Sequence, residues 1–189
     1  EIKKVVGVGS GLMGGGIAQV SAFAGYKVKM HDVEERFTTK GLEAVKGSLG
    51  KFLSKEKISQ EQHDAALANL SITTDLADAS DADLVVEAVF ENLDVKKEVF
   101  GKLDEICPSH AILATNTSAI PISSIAAATE RPDKVVGTHF FSPVPLMRLC
   151  EIIHGLQTSE ETMAAAETWA QSVGKDTVRV LKDHAGFIA

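Results

Sequence analysis

Two residues combine type and spacing in a way that points to proton transfer. His139 follows the apolar run Val135-Val136-Gly137-Thr138, and Glu151 comes twelve residues later, with Pro143 and Pro145 between them. If the prolines mark a reversal, antiparallel strands on either side of Pro145 bring His139 opposite Glu151. An imidazole fixed by a carboxylate is a general base suited to neutral pH. By itself His139 reads more readily as a hydrogen-bonded structural histidine; the companion acid and the strand-end position bring the catalytic reading level with that one. Cys150 neighbours Glu151 but alternates to the other face of a strand, which makes it core rather than nucleophile. His63 reads as outward-facing on a helix, and His110 and His184 fall in loops. No pair has metal-ligand spacing, so no metal site is expected.

A second constellation lies at the other end. Gly9-Ser10-Gly11-Leu12-Met13-Gly14 is a G-x-G-x-x-G segment directly after a strand pattern and opening a helix pattern. The first glycine permits a tight turn, the second lets backbone approach a pyrophosphate, and the third lets the helix pack closely. The helix N-terminus offers unpaired N–H groups and the positive end of its dipole. Asp32, eighteen residues after Gly14, ends the next strand, where a carboxylate accepts hydrogen bonds from ribose hydroxyls. The same charge repels a 2′-phosphate, so NAD is favoured over NADP. Arg36 is the counter-indication: it suits a phosphate or a solvated face. His31, beside Asp32, is placed to touch the adenosine side. A turn whose glycines serve packing alone is the alternative reading; Gly7 and Gly16, outside the motif, are expected to serve packing.

These residues need a scaffold, and the periodicities supply one. Strand and helix patterns alternate from Ile2 onward, as in an α/β fold with a mostly parallel sheet. Strands are expected at 2–8, 27–31, 70–73, 84–89, 111–114, 135–138, 149–153 and 177–181, and helices at 12–24, 34–55, 59–68, 94–106, 122–127 and 159–173. In the long helix, Phe37, Leu42, Val45, Leu49, Phe52 and Leu53 fall near one face. Two adjacent helices between strands exceed a plain mononucleotide unit and predict a helical hairpin, about 34–69. In an open parallel sheet ligands bind beyond the carboxyl ends of the strands, which is where Thr115-Asn116-Thr117-Ser118 falls. Asn116 and Thr117 suit ligand contact and helix capping equally. Glu87 interrupts a buried run and must be paired or face a cleft; Glu91 is better placed at a cofactor edge.

Composition narrows the partners. The chain has 189 residues, 44% of them hydrophobic, and a net charge of −7. That balance argues against nucleic acid and against an anionic membrane surface, while leaving room for a local basic patch. Lys51, Lys55 and Lys57 form such a patch, which suits an anionic ligand or a solvated helix face. Two cysteines, Cys107 and Cys150, could pair in principle, but their scarcity suggests a reducing compartment. With no leader ahead of Ile2 and no long apolar run, a cytoplasmic protein is the expectation.

In combination the motifs resemble those of the L-3-hydroxyacyl-CoA dehydrogenases, including the 3-hydroxybutyryl-CoA branch. The likeness rests on V-G-S-G-L-M-G-G-G-I-A at 8–18, D-L-V-V-E-A-V-F-E-N at 83–92, T-N-T-S at 115–118, H-F-F-S-P-V-P-L-M at 139–147, and Glu151. The resemblance implies a Rossmann-type doubly wound NAD-binding domain over 1–189. It implies His139 as the base that takes the 3-hydroxyl proton, Glu151 as the group that holds it, and Ser118 at the reacting oxygen or the carboxamide region. Cofactor contacts would come from Gly9, Gly11, Leu12, Met13, Gly14, Asp32, Glu91, Lys96, Asn116 and Ser142. Ser48, Lys55 and Ser118 would contact the acyl-CoA. Many members have asparagine where this chain has Ser142. Members also continue past Gly186-Phe187-Ile188-Ala189 into an asparagine near the substrate and a helical dimerisation domain, which is expected to be missing here. The implied reaction is NAD-dependent oxidation of short-chain 3-hydroxyacyl-CoA, or its reverse. A related sugar-acid dehydrogenase, or an NAD-binding module without turnover, are the alternatives.

Overall fold

The run Leu84-Val85-Val86 is apolar at every position because both faces of its strand are covered. Leu84 and Val86 join one core cluster and Val85 the other. The computed structural model describes residues 1–183; His184 and the Gly186–Ala189 segment lie outside the described residues. The strands are β1 (Lys4–Val8), β2 (Lys27–His31), β3 (Leu70–Thr73), β4 (Leu84–Glu87), β5 (Ile112–Thr115), β6 (Val135–Phe140), β7 (Leu149–Ile153) and β8 (Asp176–Val180). They form one sheet in the order β3-β2-β1-β4-β5-β6-β7-β8. Every neighbouring pair is parallel except β6 and β7. The order reverses between β1 and β4, the switch point where such sheets open a crevice.

The helices are α1 (Leu12–Phe23), α2 (Glu35–Ser54), α3 (Gln60–Ala68), α4 (Leu93–Ile106), α5 (Ile122–Ala126) and α6 (Glu160–Ser172). Residues of α1 and α6 fill the core on one side of the sheet, and those of α4 and α5 fill the other. Gly25, with φ of +101°, follows the end of α1. The hairpin is α2 and α3. Its second helix starts at a capping box: Gln62 N–H donates to the Ser59 hydroxyl, and the Gln62 side chain accepts from Ser59 N–H.

Several expectations need adjustment. The apolar stripe of α2 serves two partners. Val45 and Leu49 enter a small core with Ala66, whereas Phe37 and Phe52 line an open cleft. Strand β1 starts at Lys4 rather than Ile2, because the Lys3 and Lys4 N–H groups both donate to the Asp83 carboxylate. A Cβ at Gly16 would lie 2.7 Å from Val144 Cβ, so Gly16 serves packing; at Gly7 it would meet nothing within 4 Å, so Gly7 does not. His63 is less exposed than expected, with 17% of its side chain accessible and Nδ1 bonded to Asp64. Short 3-10 turns at Leu76–Ala79 and Pro132–Lys134 had no counterpart in the periodicity.

Gly137 sits in β6 where the next layers close in. A Cβ there would lie 2.7 Å from Ile153 Cβ and 2.8 Å from Ile122 Cδ1. Gly137→Ala should cost about 1–3 kcal/mol by overpacking, read as a lower urea midpoint at unchanged slope.

Candidate active site and cofactor cleft

The glycine turn is built by contacts that exclude side chains. Gly9 has φ of +103°, and a Cβ on it would lie 2.6 Å from the Ala88 carbonyl oxygen just beyond β4. A Cβ on Gly14 would lie 1.9 Å from the Gly9 carbonyl oxygen. Only glycine lets α1 begin this close to the turn. At Gly11, by contrast, a Cβ would meet nothing within 4 Å. The space above it, beside the first-turn N–H groups of α1 at Leu12 and Met13, lies where a pyrophosphate belongs. The residues present therefore fit a dinucleotide.

Asp32 lies at the rim. Its Oδ2 accepts from Ser10 N–H at 2.9 Å and from Ser10 Oγ at 2.8 Å, and its Oδ1 accepts from Val33 N–H at 2.8 Å. The carboxylate thus braces the turn as well as facing the cleft it lines. Arg36 pairs with Glu34 on the surface. His31 lines the cleft next to Asp32, and burial pushes its imidazole below the ordinary value against the pull of Asp32. The cleft encloses about 1550 Å³ and continues across α1 to the hairpin, where Ser48, Lys51, Lys55 and Lys57 line it. Gln19 Nε2 donates to Ser48 Oγ at 2.9 Å.

The chemistry-bearing residues gather at the carboxyl ends of β4, β5 and β6. Strands β6 and β7 pair with His139 directly opposite Glu151. His139 Nδ1 lies 2.9 Å from Glu151 Oε1, and Glu151 is 1% exposed. Ser118 Oγ stands 3.3 Å from His139 Nε2. Glu91 holds that loop: its Oε2 accepts from Ser118 N–H at 2.8 Å and its Oε1 from the Thr117 hydroxyl. Neither Asn116 nor Thr117 caps α5, whose N-cap position is Pro121. Asn116 Oδ1 instead accepts from Phe140 N–H at 2.9 Å, tying β5 to the strand of His139.

Glu87 is fully buried and paired. Lys96 Nζ lies 2.6 Å from its Oε2, and Thr115 Oγ1 donates to Oε1 at 2.8 Å. Lys96 is itself 1% exposed, with its ammonium turned to Glu87 and with Glu91 Oε1 at 3.9 Å. The lining of the cleft includes Phe90 and Pro143; Ser118, His139 and Ser142 are not among its lining residues. Cys107 and Cys150 are separate, buried free thiols rather than a pair, and burial pushes them up to about 11 and about 12. The bracing roles of Ser10, Gln19 and Thr115 had no distinct sequence signal: a serine inside a glycine motif or a threonine ending a strand looks ordinary.

Residues 4–184 match the family model described as "3-hydroxyacyl-CoA dehydrogenase, NAD binding domain". The chain belongs to this family. It is 44% identical over 189 residues to a probable 3-hydroxybutyryl-CoA dehydrogenase of Bacillus subtilis, covering all of this chain and 66% of that one. It is 41% identical to the mitochondrial hydroxyacyl-coenzyme A dehydrogenase of Sus scrofa, covering 99% of this chain and 61% of that one. The solved structure of (S)-3-hydroxybutyryl-CoA dehydrogenase from Ralstonia eutropha superposes with a TM-score of 0.97 at 41% identity, covering 100% of this chain and 66% of that one. The 189 residues thus span about two thirds of the length of these relatives. They form an NAD-binding domain of the doubly wound α/β class. No helix among the described residues is long and apolar enough to cross a membrane.

Two outcomes test this geometry. Gly11→Val should leave the fold intact, because its Cβ meets open space, while NADH affinity falls by on the order of ten-fold or more in calorimetry. Lys96→Met leaves Glu87 buried without its cation and should cost about 3–5 kcal/mol. The double variant Glu87→Leu/Lys96→Met should recover much of that loss in denaturant melts.

Proposed function

We propose that the chain is the cofactor-binding and base-bearing part of an enzyme that oxidises L-3-hydroxyacyl-CoA to 3-oxoacyl-CoA, or runs the reverse reduction, on short acyl chains such as 3-hydroxybutyryl. The observation that carries this reading is the triplet Ser118–His139–Glu151 at the strand ends beside an NAD cleft. Bound NAD supplies the acceptor for the hydride that leaves C3. Gly9, Gly11, Leu12, Met13 and Gly14 hold its pyrophosphate end and Asp32 its adenine ribose, with Glu91, Lys96, Asn116 and Ser142 toward the nicotinamide side.

The residues of this chain divide the proton chemistry. A Glu151 carboxylate can only accept a hydrogen bond, so His139 Nδ1 carries the proton of that contact, and in the neutral imidazole Nε2 keeps its lone pair. Nε2 takes the 3-hydroxyl proton as the carbonyl forms, and Glu151 stabilises the imidazolium that results. Ser118 Oγ, 3.3 Å from Nε2, hydrogen-bonds the same substrate oxygen. Glu91 keeps Ser118 in place through the Ser118 N–H. Ser48 and Lys55 meet the CoA along the hairpin, where the basic residues Lys51, Lys55 and Lys57 line the cleft of a chain with net charge −7. The names of the relatives support the short-chain substrate.

The test uses protein that continues these residues over the full length of the relatives. With NADH it should reduce acetoacetyl-CoA and not a simple keto acid; the opposite preference overturns the CoA assignment. His139→Gln should lower kcat by on the order of 10²- to 10⁴-fold while NADH affinity holds; equal loss of both sinks the general-base role. Glu151→Gln should lower turnover and alter the pH–rate profile, and an unaltered profile counts against the pair.

A further inference from the structure

Lysine is rarely buried unless an acid accompanies it. Lys96 has Glu87; Lys175, only 7% exposed, has carbonyls. Its Nζ donates to the Val144 carbonyl at 2.5 Å and to the Met147 carbonyl at 2.7 Å. No carboxylate among the described residues lies within ion-pair distance of it. Burial pushes the ammonium below its ordinary value, with Cys150 as the opposing neighbour. Taking a charge out of water for two carbonyls is costly, so the position calls for a reason.

Its surroundings supply one. Gly174, with φ of +90°, follows α6, and Lys175 N–H donates to the Ala170 carbonyl at 3.1 Å. The lysine stem therefore leaves from a fixed helix end. Both carbonyls belong to the turn joining β6 to β7. Within that turn the Leu146 and Met147 N–H groups both donate to the Pro143 carbonyl at 3.0 Å. On its other side Val144 is buried against Gly16 of α1, where a Cβ would come within 2.7 Å of Val144 Cβ. The turn is held between an ammonium and a helix with no side chain at the contact. Pro143 to Leu146 line the same cleft that Ser48 and Phe52 line from the hairpin.

We propose that Lys175 is a positioning residue for substrate binding: by holding two carbonyls it fixes the turn between the base strand and the acid strand as one wall of the acyl-CoA path. This rests on the acyl-CoA reading above. Lys175→Met keeps the stem and removes the donors. In the full-length protein, KM for acetoacetyl-CoA should rise on the order of ten-fold, with the Kd for NADH changed by less than about two-fold. In the 189-residue chain, amide exchange of peptides covering 143–147 should accelerate while that of β4 stays unchanged. Lys175→Arg, which keeps charge and donors, should restore much of both. A variant that only melts earlier, with KM and 143–147 exchange unchanged below its midpoint, overturns the proposal. So does acceleration spread evenly over the sheet. If Lys175→Met does not fold, Lys175→Gln carries the same comparison. If the wild type fails to reduce acetoacetyl-CoA, the acyl-CoA reading fails; unchanged exchange at 143–147 then overturns the clamp, and local acceleration supports it.

Discussion

The antiparallel pairing of β6 with β7 is the constraint on which the site depends. Elsewhere the sheet is parallel and needs a helical crossover between successive strands. Here a short turn suffices, so two residues twelve apart in sequence become direct cross-strand neighbours. Side chains alternate along a strand, so a slip of one residue would carry Glu151 to the opposite face and leave Cys150 beside the imidazole. Burial of Cys150, Ile152 and Ile153 penalises that slip. The hydrophobic core and the buried Glu151, whose carboxylate would lose its partner in a slip, together set the registry of the pair.

A second framework runs from the middle of the sheet to the same place. Lys96 and Thr115 satisfy Glu87; Thr117 and Ser118 satisfy Glu91; Ser118 then meets His139. Carboxylates that end or follow β4 anchor the loop after β5, and Asn116 anchors that loop to β6. Each link joins neighbouring strand ends, where parallel packing brings loop backbones together with polar groups that need partners. At the Glu87 end, where Lys96 and Thr115 are also buried, removing one partner would leave another buried group unmatched; Glu91 and Ser118, at the other end, are exposed.

Much of this was legible in the sequence, for identifiable reasons. Alternating periodicities gave the order of elements, and Gly9, Gly11 and Gly14 advertise three distinct steric demands at fixed offsets. His139 and Glu151 could be paired because prolines mark the reversal between them. The rest was hidden where one signal serves two ends. Phe37 and Phe52 share the spacing of Val45 and Leu49, yet line a cleft; periodicity reports a face that avoids water, not what covers it. Lys96 lies on an amphipathic helix like any solvated lysine, and its partner Glu87 is on another element. Asn116 read equally as a helix cap and as a ligand contact, and its acceptor oxygen serves a backbone N–H of a different strand. Boundaries such as the start of β1 moved because Asp83, far along the chain, captures two of its amides.

Asp32 illustrates a further consequence of shared duty. One oxygen receives both the N–H and the hydroxyl of Ser10, and the other receives the N–H of Val33. The acid at the rim of the cleft is also the keystone of the glycine turn. The negative charge at the cleft rim and the shape of the glycine turn are therefore one trait rather than two. Exchanging that acid for a smaller or basic residue, as a change to a phosphorylated dinucleotide would require, dismantles the cradle in the same step. Any residue at position 32 that cannot accept these three hydrogen bonds leaves the amides of Ser10 and Val33 to be held from elsewhere.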